Sequence, residues 1–244
     1  MRKKWENAFG KKIYKNLFCE SEIETMLQMA VDLEQEQDRR DYVWKYYEQD
    51  RKTISRIEYF VNYHEQFFAI ANDPSIIGIV EDVLGEEPIL FKDKINYKYP
   101  VGEGFSLHQD IAAGWGMYTN VHVTIAIPLC DTTEENGCIL FGETQTEQLT
   151  PNFQDLDDSF DLFECPTEKG DVIAFDSYVP HASYQNKSSH PRPVLFFTYT
   201  PKSHGDYYEK YHEDKFANVP PDIYKVKGKK YRSGNSNSIE KEFK

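Results

Sequence analysis

The stretch that decides the fold is ILFKDKINYKYPVGEGFSLHQD, residues 89–110. Its first half alternates apolar or aromatic with polar side chains, which predicts a strand, and the turn VGEG leads into a second extended run. This run ends on His108 and Asp110, whose side chains share one face because strand side chains alternate in direction. Such a pair could bind one metal ion. A lone His-x-Asp is more often an ordinary polar strand edge, so other residues must support a metal site.

Further strand-like runs follow this pair, each rich in β-branched or aromatic residues and bounded by Gly, Pro, Asn or Asp. They are TNVHVTIAIPL (119–129), GCILFGE (137–143), GDVIAFDSYVP (170–180) and RPVLFFTYTP (192–201). No long helical pattern lies between them, which favours a barrel or jelly roll over a parallel βαβ sheet. Residues 143–168 are predicted to be a long polar insert.

The residues before Gly85 have a helical texture. In residues 19–50, Ile23, Met26 and Ala30 recur at helical spacing after a Ser21 N-cap, and residues 74–85 form a second amphipathic segment. The aromatic-rich residues 56–71 are predicted to be largely helical or a connecting loop. We therefore expect one domain over residues 1–244, with a mainly helical front (1–85), a jelly-roll core (86–203) and a C-terminal extension (204–244) with a mobile tail.

Composition and charge exclude several functional classes. The hydrophobic content of 39% is that of a globular protein, and the net charge of −13 argues against nucleic acid as a partner. No run of 18 or more apolar residues suggests a membrane span. The four cysteines form no C-x-x-C pair and the N-terminus lacks the apolar core of a secretory signal, so we expect a cytoplasmic protein, monomeric or homodimeric.

A metal site on His108 and Asp110 needs a third ligand, and His181 is the best candidate. It ends the strand GDVIAFDSYVPH, which a barrel can bring beside the earlier strand. His122, within a strand, is the main competitor; His64 is expected to be packed or exposed, His190 lies in a polar loop, and His204 and His212 are expected to be exposed. Two imidazoles and one carboxylate form the facial triad of non-haem iron(II), although zinc could occupy the same set.

Arg192 narrows the possible chemistry of the metal site. It lies eleven positions after His181, past a loop and at the start of the last strand. A planar, permanently charged guanidinium is suited to the far carboxylate of a diacid that chelates the metal. Its alternative role is a surface ion pair. Together with the triad and the strand order, the co-substrate role is the better interpretation.

With these residues in place, residues 54–220 resemble the phytanoyl-CoA dioxygenase family of iron(II)/2-oxoglutarate oxygenases. The matching features are His108-Gln109-Asp110, ENGCILFGE, GDVIAFDSYVPHAS and Arg192. Flanking segments such as WKYYEQD and SRIEYFVNYHEQF are similar to a bacterial subgroup that includes oxygenases of small phosphonates, such as 2-aminoethylphosphonate. The resemblance implies a mainly β fold, a cupin-like double-stranded β-helix (jelly roll) with an N-terminal helical layer and iron inside one end.

The resemblance also implies residue roles. His108, Asp110 and His181 would be the catalytic ligands of Fe(II), and Arg192 would bind 2-oxoglutarate. Further co-substrate contacts would come from Asn96, Phe105, Ser183 and Thr124. The expected reaction consumes O2, hydroxylates an unactivated C–H bond of a small molecule and releases succinate and CO2, with ascorbate as reductant in vitro. Family members that halogenate lack the carboxylate ligand, so Asp110 favours hydroxylation or desaturation.

The substrate pocket is expected to be walled by residues 111–115 and by the helical front. Trp115, Tyr118 and Lys94 are candidate substrate contacts, whereas Lys98 is expected to be a surface lysine. Three alternatives remain open: a tailoring oxygenase of natural-product biosynthesis, a metal-dependent cupin-type isomerase or hydrolase, and a jelly-roll binding module without activity. Iron-dependent conversion of 2-oxoglutarate to succinate separates the oxygenases from the other two.

Overall fold

The structure is a computed structural model that describes residues 10–50, 52–142, 161–232 and 240–242. Its strands, in chain order, are β1 (Lys11–Tyr14), β2 (Trp44–Tyr47), β3 (Ile54–Glu58), β4 (Pro88–Asn96), β5 (Phe105–His108), β6 (Val123–Pro128), β7 (Ile139–Gly142), β8 (Leu162–Cys165), β9 (Val172–Asp176), β10 (His181–Ser183), β11 (Val194–Pro201), β12 (Lys230–Arg232) and β13 (Glu240–Glu242). The α-helices are α1 (Glu20–Gln35), α2 (Glu65–Ala71), α3 (Pro74–Leu84) and α4 (Tyr208–Asn218).

Two antiparallel sheets form the jelly roll. The large sheet has the order β1-β9-β6-β11-β4-β3-β2, and the small sheet has the order β5-β10-β7-β8. In the large sheet β11 lies between β6 and β4, so strands distant in sequence are neighbours. The predicted fold class is confirmed.

The alternation of side chains along β11 separates two hydrophobic clusters. Leu195 and Phe197 belong to the cluster that the large sheet shares with α1 and α3. Val194 and Phe196 belong to a second cluster with Phe141 of the small sheet. Because strand side chains alternate in direction, one face of the large sheet supports the helices and the other faces the small sheet. The interior between the sheets is where the site forms.

The helices begin and end close to the predicted positions. The α3 helix follows Asp73, whose Oδ1 accepts a hydrogen bond from the Ser75 N–H at 2.8 Å, and it ends at Gly85 with a φ of 76°. The α1 helix begins earlier than the Ser21 prediction, because Cys19 is its N-cap and the backbone N–H of Cys19 donates to Glu22 Oε2 at 2.7 Å.

The front third is less helical than predicted. Residues 44–47 and 54–58 are strands that pair with each other, and 11–14 pairs with β9. The helical prediction for residues 44–47 is wrong because the aromatic side chains of Trp44 and Tyr46 are buried when this segment adds to the sheet. Residues 56–71 are divided between β3, a 3₁₀ turn at Val61–Tyr63 and α2.

Two other predictions need partial correction. The segment 143–168 is not entirely an insert, because β8 pairs with β7; residues 143–160 lie outside the described residues. The tail contains the β12–β13 hairpin, while residues 233–239 lie outside the described part, so its mobility stays a prediction, as does the single-domain boundary at 1–244. In the described ranges the longest α-helix has 16 residues, and no helix there could cross a membrane.

Candidate metal centre

A cavity of about 970 Å³ contains most of the predicted site residues. The candidate metal ligands His108, Asp110 and His181 line it. Other predicted residues that line it are Arg192, Ser183, Asn96, Phe105, Trp115, Tyr118 and Lys94. Thr124 is the one predicted site residue that is not part of this lining.

Strand pairing brings the three candidate ligands together. β5 and β10 are antiparallel neighbours, and their register places His108 directly opposite His181. Asp110 begins a 3₁₀ turn immediately after β5 and is 5% exposed. One ligand atom from each residue lies within 4.8 Å of the others, and Asp110 Oδ1 is 3.7 Å from His108 Nε2 and 3.9 Å from His181 Nε2. Strand pairing therefore makes neighbours of His108 and His181, which are 73 positions apart in the sequence.

Backbone carbonyls set the tautomers of both imidazoles. His108 Nδ1 lies 2.8 Å from the carbonyl oxygen of Ser106, and His181 Nδ1 lies 2.9 Å from that of Val179. Because a carbonyl oxygen only accepts, each Nδ1 carries the hydrogen and donates it. In the neutral form of each ring, Nε2 therefore presents a lone pair towards Asp110, which is the arrangement that a metal-binding imidazole requires.

The electrostatics of the three groups suit a divalent cation. Burial alone would raise the pKa of the Asp110 carboxyl, but the nearby Lys94 ammonium is the largest of the influences that hold that pKa well below its usual range. Burial, together with the neighbouring His108, lowers the pKa of His181 to about 3, so its imidazole is neutral. Asp110 Oδ2 is buried without a hydrogen-bond partner. An ionised carboxylate, the neutral imidazole of His181 and the adjacent imidazole of His108 fit iron(II) in a facial triad.

Arg192 is a buried cation with spare donors. Its side chain is 2% exposed, Nη2 donates to the carbonyl of Gly137 at 2.7 Å, and Nε is buried without a partner. Burial lowers the pKa of Arg192 to about 10, and no carboxylate of the described residues forms an ion pair with it. Because an unpaired buried charge is costly, this guanidinium fits a ligand carboxylate.

Lys98 is the main site residue that the sequence analysis misplaced. It is not a surface lysine but is 1% exposed, and Nζ donates to Ser183 Oγ at 2.7 Å and to the Tyr184 carbonyl. The Ser183 oxygen also accepts from the Phe105 N–H at 3.4 Å. Since its oxygen accepts twice, the Ser183 hydroxyl can donate its own proton into the cavity.

Gly137 makes this arrangement possible. It has a φ of 74°, and a Cβ there would lie 2.4 Å from the Tyr184 carbonyl oxygen and 3.0 Å from Lys98 Nζ. Only glycine combines this conformation with such a close approach. In the sequence, the ENG stretch at 135–137 indicates a turn, and another segment of the same chain passes close to it.

Contacts correct two expectations from the sequence, for Thr124 and His212, and locate the competing ligand His122. Thr124 is buried and its hydroxyl pairs with Thr198 Oγ1 at 2.9 Å on the neighbouring strand instead of lining the cavity. His212 is buried, not exposed, and its ring stacks on Tyr59 with 4.1 Å between centroids. His122 is buried but lies outside the metal cluster.

The far wall of the cavity comes from α4, not from the helical front. Among the described residues that line the cavity, Arg56 on β3 is the only one before Gly85. The α4 helix presents Tyr211, Lys215 and Asn218 to the cavity. These positions lie on one side of the helix, but the sequence did not identify them because this side carries no apolar stripe.

Comparisons with known proteins identify the family of the chain. A model of the phytanoyl-CoA dioxygenase (PhyH) family matches residues 9–194. The chain belongs to this family. It is 35% identical over 203 residues to the 2-aminoethylphosphonate dioxygenase of uncultured bacterium HF130_AEPn_1, covering 79% of this chain and 78% of that protein. It is 34% identical over 175 residues to the methylphosphonate hydroxylase of Gimesia maris, covering 68% and 66% respectively.

A solved structure shares the fold. EctD from S. alaskensis, crystallised with 2-oxoglutarate and 5-hydroxyectoine, superposes with a TM-score of 0.70 at 19% identity, over 81% of this chain and 74% of that one. Family membership and fold together confirm the predicted enzyme class. This PhyH chain is an iron(II)- and 2-oxoglutarate-dependent dioxygenase that acts on a small molecule.

Proposed function

We propose that this PhyH chain hydroxylates an unactivated C–H bond of a small phosphonate. In this proposal His108, Asp110 and His181 bind iron(II), and Arg192 binds the distal carboxylate of 2-oxoglutarate. The observation that carries it is the donor set of two imidazoles and one ionised carboxylate, in the same cavity as a buried guanidinium that has no carboxylate partner among the described residues. The phosphonate class comes from two relatives at about 35% identity that are named for such substrates.

When bound, iron(II) with 2-oxoglutarate and O2 supplies the oxidant, and the co-substrate leaves as succinate and CO2. The protein holds the reacting groups in place. The Ser106 and Val179 carbonyls keep both imidazole lone pairs turned towards the metal position. Phe175, whose ring centroid is 5.1 Å from that of His181, packs against this imidazole and excludes water from that side.

The co-substrate is oriented by groups around Arg192. The Arg192 fork and the Ser183 hydroxyl supply donors for one carboxylate. Asn96 lines the same cavity, and its side-chain amide N–H is the group that could donate to an oxygen of the co-substrate. Phe105 forms an apolar side of the cavity. Asp110 occupies the carboxylate position, which supports hydroxylation over halogenation.

Succinate formation tests this function. Protein reconstituted with iron(II), 2-oxoglutarate and ascorbate would be exposed to air with methylphosphonate or 2-aminoethylphosphonate, and succinate and organic product would be quantified together. We expect iron-dependent succinate in a one-to-one ratio with a hydroxylated product. Absence of iron-dependent succinate with every substrate would refute the proposal and favour a metal-dependent cupin-type enzyme or an inactive binding module.

A further inference from the structure

The cavity contains a cluster of buried charges that iron and 2-oxoglutarate do not use. Arg56 on β3, Lys92 on β4 and Lys215 on α4 converge on the carboxylate of Glu58. Arg56 Nε lies 2.8 Å and Lys92 Nζ lies 3.4 Å from Glu58 Oε1, and Lys215 Nζ contacts Oε2. All three cations line the cavity, whereas Glu58 lies behind them with a side chain that is 0% exposed.

This cluster has an uncompensated positive charge. Three cations against one carboxylate leave a surplus of two positive charges. Burial, and after it repulsion by Lys92 and Arg56, lowers the pKa of Lys215 although Glu58 opposes the shift, so an anion bound beside Lys215 would raise this pKa again and hold the third charge. A network that served only the fold would balance its charges, because a buried unpaired charge is costly.

Other acidic groups of the cavity do not supply the balance. Asp214 also lines the cavity, but it accepts a hydrogen bond from the Tyr118 hydroxyl at 2.7 Å and forms an ion pair with Lys210. Asp110 is the carboxylate of the metal centre. Among the described residues of the cavity lining, no further carboxylate is present. The surplus positive charge is therefore left for an anionic ligand to balance.

We propose that Arg56, Lys92 and Lys215 form a subsite for a doubly charged tetrahedral oxyanion carried by the substrate. This inference rests on the proposed function, because it concerns the substrate of the same cavity. A phosphonate or phosphate group offers several acceptor oxygens to a guanidinium fork and two ammonium groups. Its two negative charges match the surplus, whereas a carboxylate would leave one positive charge without a partner.

The register of β4 separates this subsite from the co-substrate. Asn96, Lys94 and Lys92 point to one face at intervals of about 6.6 Å along the strand. Lys94, in the middle, lines the same cavity as the metal ligand Asp110. Lys92, beyond it, lies over the rings of Trp115 and Tyr211, with 5.5 Å from Nζ to each centroid. The order along β4 therefore places Lys94 between Asn96, which is expected at the co-substrate, and Lys92 of the subsite.

Calorimetry on variants tests the subsite. Methylphosphonate, inorganic phosphate and acetate would each be titrated, without oxygen, into protein loaded with iron(II) and 2-oxoglutarate. We expect methylphosphonate to bind wild type and to bind Lys92→Met and Lys215→Met at least about tenfold more weakly, because each change removes a charge-assisted hydrogen bond. The matched control is Lys202→Met, a lysine on the surface paired with Glu87, which should bind within about twofold of wild type.

Stability separates a ligand-binding charge from a structural one. Lys215→Met removes the cation whose charged form is disfavoured by burial and by the other two cations, so we expect the Tm of the protein without substrate to rise by about 2–4 °C. Lys92→Arg keeps the charge and should retain methylphosphonate affinity within about threefold. Loss of binding in both Lys92 variants would assign the effect to packing and overturn the inference.

The other outcomes of the titrations decide which class of ligand the subsite binds. Unchanged methylphosphonate affinity in Lys92→Met and Lys215→Met, or equal affinity for acetate and methylphosphonate in wild type, overturns the inference. Phosphate that binds more tightly than methylphosphonate, with no phosphonate supporting succinate formation, indicates a site for free phosphate and also overturns it. If the expected binding pattern holds but no substrate yields iron-dependent succinate, the subsite stands and the proposed function fails.

Discussion

At the residue scale, a short polar chain connects a buried lysine to the co-substrate side of the cavity. Lys98 Nζ donates to Ser183 Oγ, and this leaves the serine hydroxyl proton free to point into the cavity. Burial, together with the adjacent Arg192, lowers the pKa of Lys98 to about 7. Lys98 does not line the cavity, so we regard it as a residue that positions Ser183.

Replacing this lysine should weaken the co-substrate more than it slows turnover. We expect Lys98→Met to raise KM for 2-oxoglutarate about tenfold, the worth of one hydrogen bond to a charged group, with kcat changing less than about threefold. Steady-state kinetics would be measured for Lys98→Met, Ser183→Ala and the double variant. Because both residues act through one hydroxyl, their effects should not add; additive effects would contradict the positioning role.

Thr124, in contrast to Ser183, has a hydroxyl that serves the fold and does not contact the co-substrate. Its hydroxyl is bonded to Thr198 inside the sheet, so Thr124→Val should lower the free energy of unfolding by about 1–3 kcal/mol by leaving a buried hydroxyl unpaired. KM for 2-oxoglutarate should stay within about twofold of wild type. Urea unfolding and kinetics together check this pair of effects. A tenfold rise in KM would restore the co-substrate role that the sequence suggested.

At the scale of elements, α4 closes the cavity and is held by buried polar contacts. Tyr208 donates to Asp93 Oδ1 at 2.5 Å, and Lys215 contacts Glu58. His212 is packed among aromatic rings, and its Nδ1 donates to the Tyr208 carbonyl at 2.7 Å. A charged and aromatic helix of this kind resembles an exposed extension in the sequence, because no apolar stripe marks its buried face.

His212 should make the stability of the protein sensitive to acid. Burial lowers the pKa of His212 to about 3, whereas an unfolded histidine has a pKa of about 6.5. Between these values only the unfolded state gains a proton, so stability falls as the pH falls through that window. From pH 6.5 to pH 5, wild type should lose about 2 kcal/mol more than His212→Phe in urea unfolding. Parallel pH profiles for the two proteins would contradict this assignment.

The elements show where sequence reasoning reached its limit. The α3 helix was predictable because Asp73, Pro74 and Gly85 mark its ends by local backbone chemistry. The strand at 44–47 was not, since its aromatic residues fit either a helix or a strand until the pairing with β3 is known. Residues 162–165 become a strand through pairing with β7, another long-range contact.

At the scale of the whole molecule, the jelly roll assembles a site from segments far apart in the chain. The sequence predicted four of the site residues because each lies at a strand end or next to a turn: His108, Asp110, His181 and Arg192. Their common cavity depends on the pairing of β5 with β10 and on β11 beside β4. The cluster around Glu58 could not be predicted, because its members come from β3, β4 and α4 and meet only in the folded protein.

The central claim is that Asp110 and the two imidazoles hold the iron on which turnover depends. The most direct measurement is iron(II) affinity together with succinate formation in Asp110→Ala, with Glu81→Ala on the exposed side of α3 as the matched control. We predict at least about a 100-fold loss of succinate formation and weakened iron(II) binding in Asp110→Ala, with the control unchanged. Full turnover in Asp110→Ala would contradict the account.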